Sequence, residues 1–366
     1  MATHDHAHES EREAEVLDNI ERMRRRRPRL KEDTITLAHG AGGKASAALT
    51  DAVFLEAFRN EALEPLGDAA EVVLPSGERL AMSTDSFVVN PWRFPGGSIG
   101  SLAVHGTVND LAVAGARPRW LTAGFVLEEG LAVDELRWIT EDMARAAERA
   151  GVTIVSGDTK VVGTGAADGL YINTTGVGVI PAGRRLGAEQ VRPGDKVLVS
   201  GSLGDHGMAV MLARGDLALD ADIVSDSAPL DGLVEALLAA APDTRWLRDA
   251  TRGGVGTVCN ELAKATERGV VLSERALPIH APVAGACDIL GIDPLYVANE
   301  GKLIAVVPVE QARAGLEAMQ THEHGHEAAV IGEIREEPPG MVVMATAFGG
   351  SRIVDMLVGD PLPRIC

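Results

Sequence analysis

At 366 residues the chain is long for one domain, and its length predicts two cores. Hydrophobic residues make up 46% but aromatics only 3%, so those cores must be built from Ala, Val, Leu and Ile, and the 41 glycines predict many tight turns. A net charge of −19 argues against a surface made to hold nucleic acid or an anionic membrane, since both demand a positive field, and it requires any polyanionic substrate to be met by metal ions or amide dipoles.

Three cysteines, Cys259, Cys287 and Cys366, leave one unpaired at best and show no CxxC spacing, which reads as a reducing, cytoplasmic setting. Cys259 and Cys287 lie in apolar patterns and are expected to pack in cores. No uncharged apolar stretch approaches the roughly 20 residues that a membrane span needs. Residues 1–33 are dense in charge, include Arg24 to Arg27 and lead into no apolar segment, so they read as a disordered polar extension. His4, His6 and His8 there, and His322, His324 and His326 later, alternate as weak nickel or zinc binders do; solvated polar segments account for them equally well.

The first folded stretch carries His39-Gly40-Ala41-Gly42-Gly43-Lys44 ahead of a helical pattern running to about Glu64. A glycine-rich turn before a helix can aim backbone N–H groups at phosphate. It is no P-loop, because only two residues separate Gly40 from Gly43 and Ala45 follows Lys44. Leu80 to Asn90 reads as a strand interrupted by Ser83-Thr84-Asp85-Ser86, and a carboxylate inside such a run is costly unless it is paired or bound to metal. From Ser98 to Ala114 a small-residue helix places His105 and Asn109 on one face with Asp110 adjacent, either a site or a satisfied buried network.

A strand (Trp120 to Leu127), a helix (Val133 to Ala150) and a strand (Val152 to Val155) follow, the last expected to end in Ser156-Gly157-Asp158-Thr159-Lys160. Asp85, Asp110 and Asp158 are hard oxygen donors of the kind that suits Mg²⁺ bridging to phosphates. Tyr171 to Ile180 closes this half. The second half opens with the strand from Lys196 and Gly204-Asp205-His206-Gly207, and later presents Asp249-Ala250-Thr251-Arg252-Gly253-Gly254 before a helix from Val255 to about Glu267. This is another anion-receptive turn, and Asp249 can add a carboxylate to the metal set. Asn299-Glu300-Gly301-Lys302 sits between two apolar runs, where Glu300 reads either as a simple turn residue or as a site carboxylate. Strands and helices alternate without a strict βαβ rhythm, which predicts an α+β or mixed α/β protein of two unlike halves. The expected divisions are 1–33, an N-terminal domain over 34–182, a C-terminal domain over 183–345 and a mobile tail over 346–366 ending in Pro363-Arg364-Ile365-Cys366.

Taken together, Gly40 to Gly43, Ser83 to Ser86, Gly106 to Ala112, Gly157 to Lys160, Asp249 to Gly254, Asn299 to Lys302 and the terminal Pro-Arg-Ile-Cys resemble the HypE family of hydrogenase maturation factors. That family lies within the aminoimidazole ribonucleotide synthetase-like (PurM-like) ATP enzymes, and the resemblance runs from about residue 34 to the end. It implies a two-domain PurM-like fold, a homodimer formed through the N-terminal domain, and a carbamoyl dehydratase. The Cys366 thiol would receive a carbamoyl group from the carbamoyltransferase HypF. ATP would drive its dehydration to a thiocyanate, and the HypC–HypD complex would take the cyano group for the iron of [NiFe]-hydrogenase.

Chemically, the thiocarbamate oxygen is a poor leaving group until it is phosphorylated by attack on the γ-phosphorus of ATP; loss of phosphate and two nitrogen protons then leaves S–C≡N. The resemblance gives Asp85, Asp110, Asp158 and Asp249 to Mg²⁺, and Gly40, Gly42, Gly43, Asn109, Thr159, Arg252, Gly253 and Gly254 to the nucleotide. Lys160 and Glu300 are both offered as the base for the nitrogen protons, with no choice between them. A small-molecule kinase or amidine-forming ligase of the same superfamily, and a carrier that merely presents Cys366, are the other readings.

Overall fold

The computed structural model describes residues 30, 32–215, 221–357, 359, 362, 365 and 366. Almost all of the charged extension, with His4, His6, His8 and Arg24 to Arg27, lies outside them, as do Pro363 and Arg364.

The N-terminal half begins with a short helix α1 (Lys44–Leu49), which continues through one wider turn and ends at Phe58, short of the expected Glu64. Strand β1 (Ala70–Val73) and β2 (Arg79–Phe87) follow, then a small hairpin of β3 (Arg93–Phe94) and β4 (Gly97–Ser98). Helix α2 (Ile99–Val113), β5 (Arg117–Glu128), helix α3 (Val133–Arg149), β6 (Thr153–Val162) and β7 (Leu170–Ile180) complete a five-stranded sheet in the order β1-β2-β7-β5-β6. All pairings are antiparallel except β5 with β6.

The C-terminal half carries β8 (Lys196–Val199), helix α4 (Asp205–Arg214), helix α5 (Asp231–Ala240), β9 (Trp246–Asp249) and helix α6 (Gly254–Thr266). After them come β10 (Gly269–Ser273), helix α7 (Ala281–Leu290), β11 (Leu303–Val307), helix α8 (Val309–Thr321), β12 (Ala329–Arg335), β13 (Val342–Ala345) and β14 (Ser351–Val354). Its sheet has seven strands in the order β14-β13-β10-β12-β8-β11-β9.

Helix α2 joins the halves. It is apolar all round, with only Asp110 reaching partial exposure, because it is covered on every side. It packs on β2 and β7 of its own sheet and on β9 and α5 of the other. Its start is fixed by a capping box, in which Ser98 Oγ accepts the Gly100 and Ser101 amides while the Ser98 amide donates to Ser101 Oγ. Gly100 lets α3 come close: a Cβ there would stand 2.4 Å from the Ile139 carbonyl oxygen.

Along β2, Ala81, Ser83, Asp85 and Phe87 face α2, while Met82, Thr84 and Ser86 face away and are exposed. The outward face is open, with Trp120 and Met82 both more than 40% exposed. Strand β6 is exposed along nearly its whole length and is longer than expected, so that Asp158, Thr159 and Lys160 lie within it and not beyond its end.

Candidate functional site

Three carboxylates meet where the two sheets face each other across α2. Asp68 comes from the turn before β1, Asp110 from α2 and Asp249 from the end of β9; each offers one oxygen, and these lie within 4.8 Å of one another. Asp68 is held by the Arg248 guanidinium at 2.8 Å, and Ser83 donates to Asp110. Asp85 lies alongside on the inward face of β2, and Glu300, in the turn before β11, completes the acidic set.

Burial, first of all, lifts every one of these groups above the ordinary carboxylate range. Asp68 is pushed up to about 6, and Asp110, Asp249 and Glu300 stand well above their usual values, their carboxylate neighbours adding to the effect. Asp85 is raised in the same way, against the pull of Arg252. Glu300 Oε1 is buried with no hydrogen-bond partner. Carboxylate oxygens crowded together in this way fit a hard divalent cation such as Mg²⁺.

The anion-receptive turns converge on the same place. Arg252 Nη1 donates to the Gly40 carbonyl at 3.2 Å, and Gly42, at a φ of +75°, lies so close that a Cβ would stand 2.9 Å from Arg252 Cβ. Gly253 and Gly254 open α6 with their amides at a helix N-terminus. The Arg252 guanidinium is stabilised in its charged form by Cys366 first, and then by Asp85, Glu300 and Asp110. Cys366 is half-buried: its backbone oxygen accepts the Val88 amide at 3.1 Å, and Leu362 and Ile365 are each only 2% exposed. Cys259 and Cys287 are buried in cores as expected, their thiols pushed up to about 12 and about 11 by burial.

Asp158, Lys160 and Asn109 are engaged with other groups within this chain. Asp158 and Lys160 are both 68% exposed and pair with each other at 2.6 Å, so that Lys160 holds the Asp158 carboxyl below its usual range. Across the sheet Ser86 aligns with Asn173, Asn173 with Gly124 and Gly124 with Asp158, so β6 lies three strands, about 14 Å, from β2. Asp158, Thr159 and Lys160 therefore do not reach the carboxylate cluster of their own chain. Asn109 was expected at the nucleotide. Its Nδ2 instead donates to the Ala228 and Glu300 carbonyls and its Oδ1 accepts the Leu230 amide, which makes it a buried clamp between the halves.

Sequence reasoning missed Asp68, whose only signal is Gly67-Asp68 ahead of a strand. It also missed the extended strap formed by residues 221–230, which crosses the site and touches Asn109 and Glu300. The strap's other side borders a cavity of about 510 Å³ lined by Ser202, Asp205, Ser225, Asp226 and His280, distinct from the carboxylate cluster.

The chain matches two family models, AIR synthase related protein, N-terminal domain, over residues 67–180, and AIR synthase related protein, C-terminal domain, over residues 192–344. Two such domains with carboxylates gathered between them make this an AIR synthase related protein. Carbamoyl dehydratase HypE of Azotobacter vinelandii is 54% identical over 92% of this chain and 98% of its own length. Among solved structures, HypE in a HypE–HypF complex superposes with a TM-score of 0.80 at 47% identity, covering 85% of this chain and all of that one. HypE in complex with ATP superposes at 0.76 and 48%, covering 91% of this chain and all of that one. The chain belongs to the HypE family of carbamoyl dehydratases.

Proposed function

We propose that the chain uses ATP to dehydrate an S-carbamoyl group on its own Cys366 to a thiocyanate, supplying the cyanide ligands of the [NiFe]-hydrogenase iron. The observation that carries this reading is the seat of Cys366: the chain's last residue is held to the fold by the Val88 amide, between the buried Ile365 and the strand that carries Asp85, and its charge acts on Arg252, which suits a tethered reactant.

Asp68, Asp110 and Asp249, with Asp85 beside them, are the residues that would hold Mg²⁺, and the ion would neutralise phosphate charge in a protein of net charge −19. The amides of Gly43 and Gly253 would meet phosphate oxygens, those of Gly42 and Gly254 donating to Ser46 Oγ and the Thr251 carbonyl, and Arg252 would bind the charge that develops on the transferred group. Between the two candidate bases, position favours Glu300. It is buried beside Arg252 with an unpartnered oxygen, and its raised proton affinity suits a group that must take a proton from nitrogen. Lys160 stands on the exposed edge strand.

HypF would deliver the carbamoyl group, as the solved HypE–HypF complex of a relative supports, and the HypC–HypD complex would receive the cyano group. The open face of the N-terminal sheet, with Trp120, Met82 and the bare strand β6, supports a homodimer formed through that face. Among the described residues no helix is long and apolar enough to cross a membrane.

The test incubates Mg-ATP with unmodified and with S-carbamoylated protein. ADP release of about one turnover is expected only from the carbamoylated form, and none from Cys366→Ala. Turnover without carbamoylation would point to a kinase-like activity, and hydrolysis in neither state to a carrier.

A further inference from the structure

We propose that His206, oriented by Ser225, is the positioning residue that latches the end of the chain and so sets where Cys366 lies. His206 is the second residue of α4 and is fully buried. Its Nε2 lies 3.0 Å from the Ile365 carbonyl oxygen, and its Nδ1 lies 2.8 Å from Ser225 Oγ.

The direction of these bonds follows from valence alone. A carbonyl oxygen only accepts, so Nε2 carries the hydrogen; in the neutral ring Nδ1 is then bare and accepts, so the Ser225 hydroxyl donates. The Ser225 oxygen in turn accepts the Ser227 amide at 3.1 Å. Donation therefore runs one way, from the Ser227 amide through Ser225 and His206 to Ile365. Burial, which disfavours the imidazolium, agrees with a neutral ring. The edge-on contact of the ring with Phe94, at 5.4 Å between centroids, limits its rotation.

Two features make this a latch and not an isolated contact. The backbone oxygens of Ile365 and Cys366 are gripped by different domains, Ile365 by His206 of α4 and Cys366 by the Val88 amide just past β2. The strap that orients His206 also holds the turn carrying Glu300: Asp226, between the two serines, accepts the Glu300 amide at 3.1 Å and pairs with Lys302 at 3.2 Å. Gly301 permits that approach, since a Cβ there would lie 1.8 Å from the Asp226 carbonyl oxygen. A single tripeptide, Ser225-Asp226-Ser227, thus sets the tail and the Glu300 turn relative to each other. The consequence for dehydration rests on the reading of Cys366 as the reactant, whereas the latch itself does not.

The experiment uses the full chain and the variants His206→Ala, His206→Gln and Ser225→Ala. The alkylation rate of each cysteine by N-ethylmaleimide is read by mass spectrometry of its peptide, alongside single-turnover dehydration of the carbamoylated protein. His206→Ala is expected to speed alkylation of Cys366 about tenfold, the factor for one lost hydrogen bond, and to slow dehydration correspondingly, while Cys259 and Cys287 stay protected. His206→Gln, whose amide offers an N–H in place of Nε2–H, is expected to restore part of both. Ser225→Ala is expected to act in the same direction as His206→Ala but more weakly, and it decides the matter if His206→Ala does not fold. Unchanged Cys366 alkylation in folded variants overturns the latch, and so does a rise at all three cysteines, which would mean general loosening of the core. Faster Cys366 alkylation with undiminished dehydration would keep the contact but remove its positioning role, and with it the proposal.

Discussion

Asp249 and Asp158 look alike in the sequence, each an aspartate expected at or near a strand end with a glycine and a basic residue within four positions, yet they occupy opposite environments. Asp249 ends β9 in a buried cluster and is raised well above the carboxylate range by burial and by Asp68. Asp158 lies mid-strand on an exposed edge and is lowered by Lys160. Which carboxylates can gather a cation is therefore decided by how many neighbours are buried with them, a property of the tertiary fold.

The largest test of that contrast is Asp249→Asn. Removing one of three converging oxygens is expected to slow ATP-dependent dehydration by about a hundredfold or more, measured as single-turnover ADP formation, while the chain stays folded because a repelling charge has been removed. Next is the pH dependence of stability without a divalent cation. Asp68 is raised from 3.8 to about 6, so its contribution is complete below the unfolded value near 4 and is lost as pH rises through the folded one. At about 1.4 kcal/mol per pK unit this group alone changes stability by about 3 kcal/mol, and Asp110, Asp249 and Glu300 act with the same sign. The Tm in EDTA is expected to fall between pH 4 and about 6 and above, and Mg²⁺ is expected to raise it by an increment that grows with pH. A Tm that climbs with pH in EDTA would falsify the assignment. Asn109→Ala comes third: two carbonyls and an amide lose their partner, which is expected to cost about 2 kcal/mol in urea unfolding while nucleotide affinity is retained.

Much of the fold was legible because it depends on local pattern. The helix at Ile99–Val113 and the strands at Arg79–Phe87 and Leu170–Ile180 lie close to where period and punctuation put them. The glycine turns at 40–43 and 253–254 were recognisable as anion-receptive, although nothing in the sequence says that they meet at Arg252. The site was legible in part. Asp85 and Asp110 stood out as carboxylates in apolar surroundings and Asp249 as the acid of a glycine turn, whereas Asp68, in the turn-like stretch Glu64 to Asp68, looked like any turn residue. The strap was invisible because residues 221–230 have neither period, and their role comes from what they cross. Asn109 was ambiguous, since a polar side chain on an apolar helix reads the same whether it binds a ligand or closes a buried network, and its amide is engaged in such a network.

Asp158→Asn should give the smallest effect and the sharpest discrimination. An exposed ion pair contributes little to stability, so the Tm is expected to be unchanged. The strand separation leaves one route by which Asp158 can affect catalysis, which is presentation to a second copy across the open sheet face. Any loss of turnover in Asp158→Asn is therefore expected to be recovered when that variant is mixed and re-assembled with Asp249→Asn. In such a mixed pair one site would combine an intact Asp249 from one protomer with an intact Asp158 from the other. If each site used only its own chain's residues, every site in the mixture would carry a lesion and mixing would restore nothing. A loss that mixing fails to rescue would return Asp158 to the pocket of its own chain and require β6 to move about 14 Å, which the continuous pairing of β2, β7, β5 and β6 does not allow without breaking the sheet.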